Sequence, residues 1–147
     1  IKKINRENIH SIAKNYDYIC DGTDNFKSRL LINDYCIKYK KILISSAISK
    51  YDGHIFSFNF KKDGPCLRCF MPNIPSLEQN CETDGIMSTL AGIAGSIQAN
   101  EVIKSILNIG KPLRNEIMIF NSLDLSFRKV KLNKDSNCKN HLHVLRK

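Results

Sequence analysis

The sequence has no tryptophan, no internal repeat and no long uninterrupted apolar run. Its most apolar stretch, residues 86–109, is interrupted by polar and charged side chains that include Ser88, Gln98, Asn100, Glu101 and Lys104. A segment broken in this way is too polar to span a membrane. The first residues are polar and basic rather than apolar, so we expect no secretory leader. Because the chain opens on Ile1 instead of methionine, we expect it to be a piece of a longer reading frame.

Acidic residues are scarce: 14 Asp and Glu stand against 23 Lys and Arg, for a net charge of +9. With 42% hydrophobic residues the 147-residue chain can bury a core, which suits one domain or a large part of one. A nucleic-acid binder tends to concentrate its basic residues on one helix or loop, interleaved with aromatic residues. Here they are scattered over segments 1–62 and 111–147, so we interpret most of them as solvated and expect no nucleic-acid partner.

Apolar periodicity predicts an α/β fold. Strand 16–20, helix 26–39 and strand 41–48 form a βαβ unit, which implies a parallel sheet. The other predicted elements are a short helix at 5–15, an alternating strand at 55–60, a long helix at 84–108, and a hairpin from 117–120 and 127–132. The fold class predicted is therefore a parallel α/β sheet with an antiparallel extension.

Three finer expectations concern packing. Strict alternation places Phe56, Phe58 and Phe60 on one face of an antiparallel strand that we expect to be half exposed. Two glycines within the long helix, Gly92 and Gly95, are costly there and suggest that another backbone packs closely against them. Cys20 and Cys36 fall at positions that should face the core.

Six cysteines in a chain without a leader favour metal or thiol chemistry over a disulfide framework. Cys66 and Cys69 are separated by two residues, and Cys138 and His141 repeat that spacing. Two thiolates so spaced can both face one zinc ion at about 2.3 Å, and a Cys3His set suits a closed structural site. A redox pair usually opens a helix after a parallel strand, whereas this pair follows an antiparallel one. Zinc is the favoured hypothesis, and four unrelated residues are the alternative.

Two loops contain further candidates for chemistry. Asp24 follows the first parallel strand, where ligands of open α/β sheets bind, and could hold Mg²⁺ against nucleotide phosphates. An equal alternative is that Asp24 or Asn25 caps the following helix and has no other role. Cys81 lies in the loop before the long helix, where the helix dipole favours a thiolate nucleophile, although composition alone favours an inert thiol.

Segments 18–26, 64–69, 80–85 and 92–99 follow one another in unbroken order and lead to the Cys138 cluster. In this order they resemble the ThiF/MoeB/HesA family of ubiquitin-activating-type adenylyltransferases. The resemblance implies that residues 1–147 are the C-terminal portion of a single ThiF-type domain with a Rossmann-like sheet. It also implies binding of MgATP and adenylation of the C-terminal glycine of a ubiquitin-like sulfur-carrier protein, for molybdopterin or thiamine synthesis.

The resemblance assigns roles residue by residue. Asp24 matches the Mg²⁺-binding aspartate of the family, and Asn25 and Arg29 belong to the same signature in a supporting role. Cys81 matches a cysteine that can link covalently to the carrier. His141 stands where the family's structural zinc site usually has a fourth cysteine, with His143 as a less well-spaced substitute.

The family's glycine-rich nucleotide loop and its triphosphate-binding arginine and lysine are not found in this sequence. We therefore expect the chain alone to be inactive, and expect it to form a homodimer or to associate with the missing N-terminal half. The alternative is a non-catalytic zinc-binding remnant that binds a carrier protein or partner subunit through its phenylalanine face and the loop around Cys81. We expect a cytoplasmic protein.

Overall fold

The computed structural model describes residues 3–73 and 85–142, with side chains as far as Asn140. Its elements, in chain order, are α1 (Ile9–Ala13), β1 (Tyr18–Asp21), α2 (Phe26–Lys38), β2 (Ile42–Ser49), β3 (Asp52–Asn59), α3 (Leu67–Phe70), α4 (Thr89–Leu107), β4 (Glu116–Asn121), β5 (Ser126–Lys131) and α5 (Lys139–Leu142). None of the helices in these two ranges has the length and apolarity needed to cross a lipid bilayer.

The strands form one open five-stranded sheet in the order β1-β2-β3-β4-β5. β1 and β2 are parallel and are joined by α2, whereas each later pair is antiparallel. The predicted mixed α/β sheet with an antiparallel extension is thereby confirmed. Because β1 and β2 end at the same edge, the loops that follow them lie side by side there.

Helices cover both faces of the central strands. Side chains of β2 and β3 alternate between two apolar clusters: Leu43 and Phe58 pack with α2 on one face, and Ile44 and Ile55 pack with Leu90 of α4 on the other. Full burial of one such side chain stabilises the fold by roughly 1.5–3 kcal/mol. Buried apolar side chains thus stabilise the centre of the sheet on both of its faces.

The prediction of a half-exposed phenylalanine face is wrong. Phe56 and Phe58 are 3% and 0% exposed, and Phe60 is partly buried. Helices α2 and α3 cover this face, and Phe70 of α3 packs on Phe56 with 5.4 Å between ring centroids. The contact patch expected there for a non-catalytic binding module is therefore not available on the surface.

Two other packing expectations also differ from the structure. A Cβ added at Gly92 or Gly95 would meet no atom within 4 Å, so no backbone lies close to α4 there among the described residues. Cys36 is fully buried as expected, but Cys20 is exposed. Cys20 is on the edge strand β1, whereas α4 lies mainly over β2 and β3.

Candidate functional site

A cleft of about 570 Å³ lies at the carboxyl ends of the two parallel strands. The loop after β1 forms one side of it, the end of β2 and part of β3 form its floor, and α3 and the first turns of α4 form the other walls. This is the place where the strand order predicts ligand binding. Its lining combines carboxylate, imidazole and amide groups with aromatic and aliphatic side chains.

Asp24 is an exposed residue at this cleft. The side-chain amide of Asn25 donates a hydrogen bond of 2.9 Å to the Asp24 carboxylate and lowers the pKa of that carboxyl. Asn25 also caps α2, since its side-chain oxygen accepts a hydrogen bond of 2.8 Å from the Ser28 amide. Asn25 therefore supplies the cap, and the ionised Asp24 carboxylate remains open to a hard cation.

Arg29 holds the loop after β1 against the end of β2. Its buried guanidinium pairs with the Asp21 carboxylate at 3.2 Å and donates hydrogen bonds to the Ser45 hydroxyl at 2.8 Å and the Ser46 carbonyl at 2.6 Å. It also donates to the Thr23 carbonyl. With this set of partners, Arg29 positions the loop that carries Asp24.

Gln98 is a further positioning residue that sequence reasoning missed. Its side-chain amide donates to the carbonyls of Asp21 at 2.9 Å and Ile44 at 3.0 Å, and its oxygen accepts a hydrogen bond of 3.0 Å from the Ser46 hydroxyl. It thereby ties α4 to both parallel strands next to the cleft. The sequence did indicate that Gln98 is buried, because its spacing places it on the same helix face as Leu90 and Ala94.

The thiols of Cys66, Cys69 and Cys138 form a candidate metal centre. Their sulfur atoms all lie within 4.8 Å of one another, with 3.8 Å from Cys66 to Cys69 and 3.7 Å from Cys66 to Cys138. A tetrahedral zinc ion with Zn–S bonds of about 2.3 Å requires sulfurs about 3.8 Å apart. Burial raises the pKa of the Cys66 and Cys138 thiols, so a cation is needed to hold them as thiolates. The donor set fits zinc.

Three of the four predicted zinc ligands are thus brought together. His141 belongs to α5, three residues after Cys138, but its side chain lies outside the described part of the structure. His143 and Cys81 also lie outside the described residues. The fourth ligand and the proposed nucleophile therefore stay predictions.

Helix α2 anchors the metal-binding loop and the C-terminal segment. The fully buried Asn33 accepts a hydrogen bond of 3.0 Å from the Leu67 amide, next to Cys66. Arg68 donates two hydrogen bonds to the Asp34 carboxylate, at 3.0 and 2.7 Å, and Asn140 donates another at 2.7 Å. Burial raises the pKa of Asp34, but these donors outweigh it and the net shift is downward. Because α2 begins at the cleft, one helix connects the cleft with the metal centre.

Substitution of Asn33 by alanine is expected to destabilise the fold by about 1–3 kcal/mol, because the buried Leu67 amide then has no acceptor. Urea unfolding with zinc in excess measures the change. N100A, which truncates an exposed asparagine of α4, is the matched control. Equal stabilities of the two variants would contradict the anchoring role of Asn33.

Sequence comparison finds a matching family and several named relatives of the chain. Residues 1–140 match the ThiF family. The chain is 37% identical over 139 residues to "Adenylyltransferase and sulfurtransferase MOCS3" of Drosophila willistoni, covering 92% of this chain and 30% of that protein. It is 33% identical over 142 residues to "Sulfur carrier protein adenylyltransferase" of Thermus thermophilus, covering 92% of this chain and 52% of that protein. It therefore spans only about a third to a half of these relatives' lengths.

Structural comparison identifies the same fold. The E. coli MccB structure with ATP superposes with a TM-score of 0.75 at 15% identity, covering 95% of this chain and 44% of MccB. A complex of the Microcin C7 biosynthetic enzyme MccB with N-formylated MccA has a TM-score of 0.75 at 16% identity, with 93% and 44% covered. At this identity the likeness shows the fold alone, and the sequence match supplies the family: the chain belongs to the ThiF family.

Proposed function

We propose that this chain forms part of an ATP-dependent adenylyltransferase that activates the C-terminal glycine of a ubiquitin-like sulfur-carrier protein for molybdopterin or thiamine synthesis. The observation that carries the proposal is the cleft at the parallel strand ends, with the ionised Asp24 carboxylate exposed in it. Named relatives support it, since they include a sulfur carrier protein adenylyltransferase and a probable molybdopterin-synthase adenylyltransferase.

The residues of the cleft have two functions: some would hold a cation, and others hold the loop after β1 in place. Asp24 offers a hard oxygen ligand of the kind that Mg²⁺ prefers, and the Asn25 amide keeps that carboxylate ionised. Arg29 and Gln98 fix the loop and the strand ends, so that the carboxylate keeps its place in the cleft. MgATP, when bound, supplies the adenylyl group that the carrier carboxylate accepts, with pyrophosphate as the leaving group.

The rest of the nucleotide site must come from elsewhere. None of the seven glycines forms a G-x-G-x-x-G loop, and one carboxylate cannot stabilise the charge on a transferring phosphoryl group. We therefore propose that residues 1–147 are the C-terminal portion of a ThiF-type domain and are inactive alone. Association with a segment that contains the nucleotide loop would complete the enzyme, and the resemblance to the family makes a homodimer the expected assembly. A cytoplasmic location stays a prediction.

The metal centre has a structural role in this proposal. Zinc bound by Cys66, Cys69, Cys138 and His141 would join the loop after β3 to the C-terminal segment, with His143 as the substitute ligand. Cys81 is proposed to form a covalent link with the carrier. These assignments are supported by the sulfur geometry at three ligands and by the resemblance of the Cys81 segment to the family.

ATP–pyrophosphate exchange with purified ubiquitin-fold carriers tests the proposal. The assay is made on the 147-residue chain and on the chain completed with a nucleotide-loop segment, using a molybdopterin synthase small subunit and a thiamine sulfur carrier. We expect exchange only in the completed form. Carrier binding without exchange in either form would favour the non-catalytic zinc-binding remnant, and neither binding nor exchange would overturn both proposals.

Replacement of Asp24 by asparagine is expected to lower the exchange rate of the completed form on the order of 100-fold, because the cation loses a charged ligand. Thermal stability should not change, since Asp24 is exposed. D124N is the control, because Asp124 is an exposed aspartate in the turn between β4 and β5. Equal exchange rates for D24N and D124N would contradict the proposed role of Asp24.

A further inference from the structure

His54 is a partly buried histidine at the floor of the cleft, and the proposed reaction leaves it without a role. In the sheet register it lies between Ala47 of β2 and Ile119 of β4. It is on the same face as Phe56, two residues closer to the end of the sheet where the cleft opens. Arg29 of α2 donates a hydrogen bond to Ser45 of β2, and Ser45 is paired with Phe56 of β3. His54 is therefore two residues along β3 from the position next to this hydrogen bond.

His54 lies beside aromatic rings and within electrostatic reach of two charged side chains. Its ring lies 6.4 Å from that of Phe56, measured between centroids, and Phe70 packs on Phe56 as well. No side-chain hydrogen bond of His54 occurs among the described residues. Burial lowers the pKa of His54, an effect that Asp52 opposes and Arg128 reinforces. A neutral imidazole has one N–H donor and one nitrogen acceptor, the same pair of functions that a peptide group presents.

We propose that His54 is a positioning residue that hydrogen-bonds the main chain of the extended C-terminal tail of the carrier as the tail crosses the cleft. This inference rests on the proposed function and adds a contact between this chain and the tail of the carrier. The rings of Phe56 and Phe70 beside His54 have no hydrogen-bonding group of their own to offer the tail. The main chain of the tail and the ring nitrogens of His54 can therefore satisfy each other.

Strand spacing indicates which part of the tail His54 contacts. The loop with Asp24 follows β1, and His54 is on β3, two strand spacings or ~10 Å away across the sheet. An extended chain advances about 3.3 Å per residue. With its terminal carboxylate at the β1 loop, the tail would present to His54 the peptide group roughly three residues earlier.

A double-mutant cycle between His54 and the tail tests the proposal. Zinc-loaded residues 1–147 are titrated by calorimetry with a molybdopterin synthase small subunit, either intact or without its last residues. We expect H54A and H54F to weaken binding of the intact carrier about five- to tenfold and to leave binding of the shortened carrier unchanged. H54Q, which keeps a donor and an acceptor, should restore most of the affinity.

Two controls separate positioning from general damage. H10A removes an exposed histidine of α1 outside the cleft and should bind like the unsubstituted chain. H54F keeps a ring in the sheet and therefore retains the fold if H54A does not, as thermal melting will show. If the His54 variants lose affinity equally for both carriers, or lose none for either, the role of His54 is overturned. In that case, tighter binding of the intact carrier than of the shortened one by the unsubstituted chain would still support the proposed function. No binding of either carrier by the unsubstituted chain would overturn the role of His54, whereas the exchange assay on the completed form decides the proposed function separately.

Discussion

Replacement of Cys66 by serine is expected to abolish stoichiometric zinc binding and to lower the melting temperature by roughly 10 °C. Cys66 is the central ligand, because its sulfur lies within 3.8 Å of both Cys69 and Cys138. It is also fully buried, so the substitution removes the thiolate at the centre of the cluster and leaves a buried hydroxyl, which is a poor zinc ligand, in its place. The metal-binding loop and the C-terminal segment should then lose their attachment to each other, since the metal joins residues 72 positions apart.

Metal analysis and thermal melting, each with and without a zinc chelator, measure this effect. C20S is the matched control, because Cys20 is an exposed thiol on the edge strand β1 and does not belong to the sulfur cluster. The chelator should lower the melting temperature of the unsubstituted chain and of C20S, but not that of C66S. A melting temperature that neither C66S nor the chelator alters would refute the zinc site.

Substitution of Arg29 by methionine is expected to destabilise the fold by about 3–5 kcal/mol. Methionine replaces the aliphatic part of the side chain but leaves the buried Asp21 carboxylate without its cation. The carbonyls of Thr23 and Ser46 also lose a donor. Breaking a buried pair by removal of one partner is costly because the remaining charge stays in a poorly solvated place.

Urea unfolding of R29M and of K27M measures the cost. Lys27 is an exposed cation two residues earlier on the same helix, so its replacement controls for the change in charge and in helix propensity. K27M should remain close to the unsubstituted chain in stability. Equal midpoints for R29M and K27M would show that the buried network does not hold the β1 loop.

Apolar periodicity predicted where the helices and strands lie along the chain, but not which helices cover each face of the sheet. The parallel pairing of β1 and β2 followed from a strand, a helix and a strand within a short segment. Alternation also placed Phe56 and Phe58 on one face correctly. Their burial could not be predicted, because it depends on α2 and α3 closing over that face. The exposure of Cys20 depends likewise on where α4 lies across the sheet.

Local geometry at the two candidate sites was determined by the sequence itself. The Asn25 cap and the Cys66–Cys69 spacing each involve residues only three positions apart, so the backbone geometry of one turn is enough to create them. The same spacing made Cys138 a candidate ligand, although only the folded chain brings it to 3.7 Å from Cys66.

Only the tertiary structure decided how these parts are held. Gln98 bonds to carbonyls 77 and 54 positions earlier, and Asn33 bonds to an amide 34 positions later. Such contacts form only when helices pack on the sheet, and burial then makes each lost hydrogen bond expensive. The sequence by itself therefore determined which residues are candidates for the chemistry, and the tertiary structure determined which polar residues hold them in place, because long-range contacts arise from packing rather than from spacing.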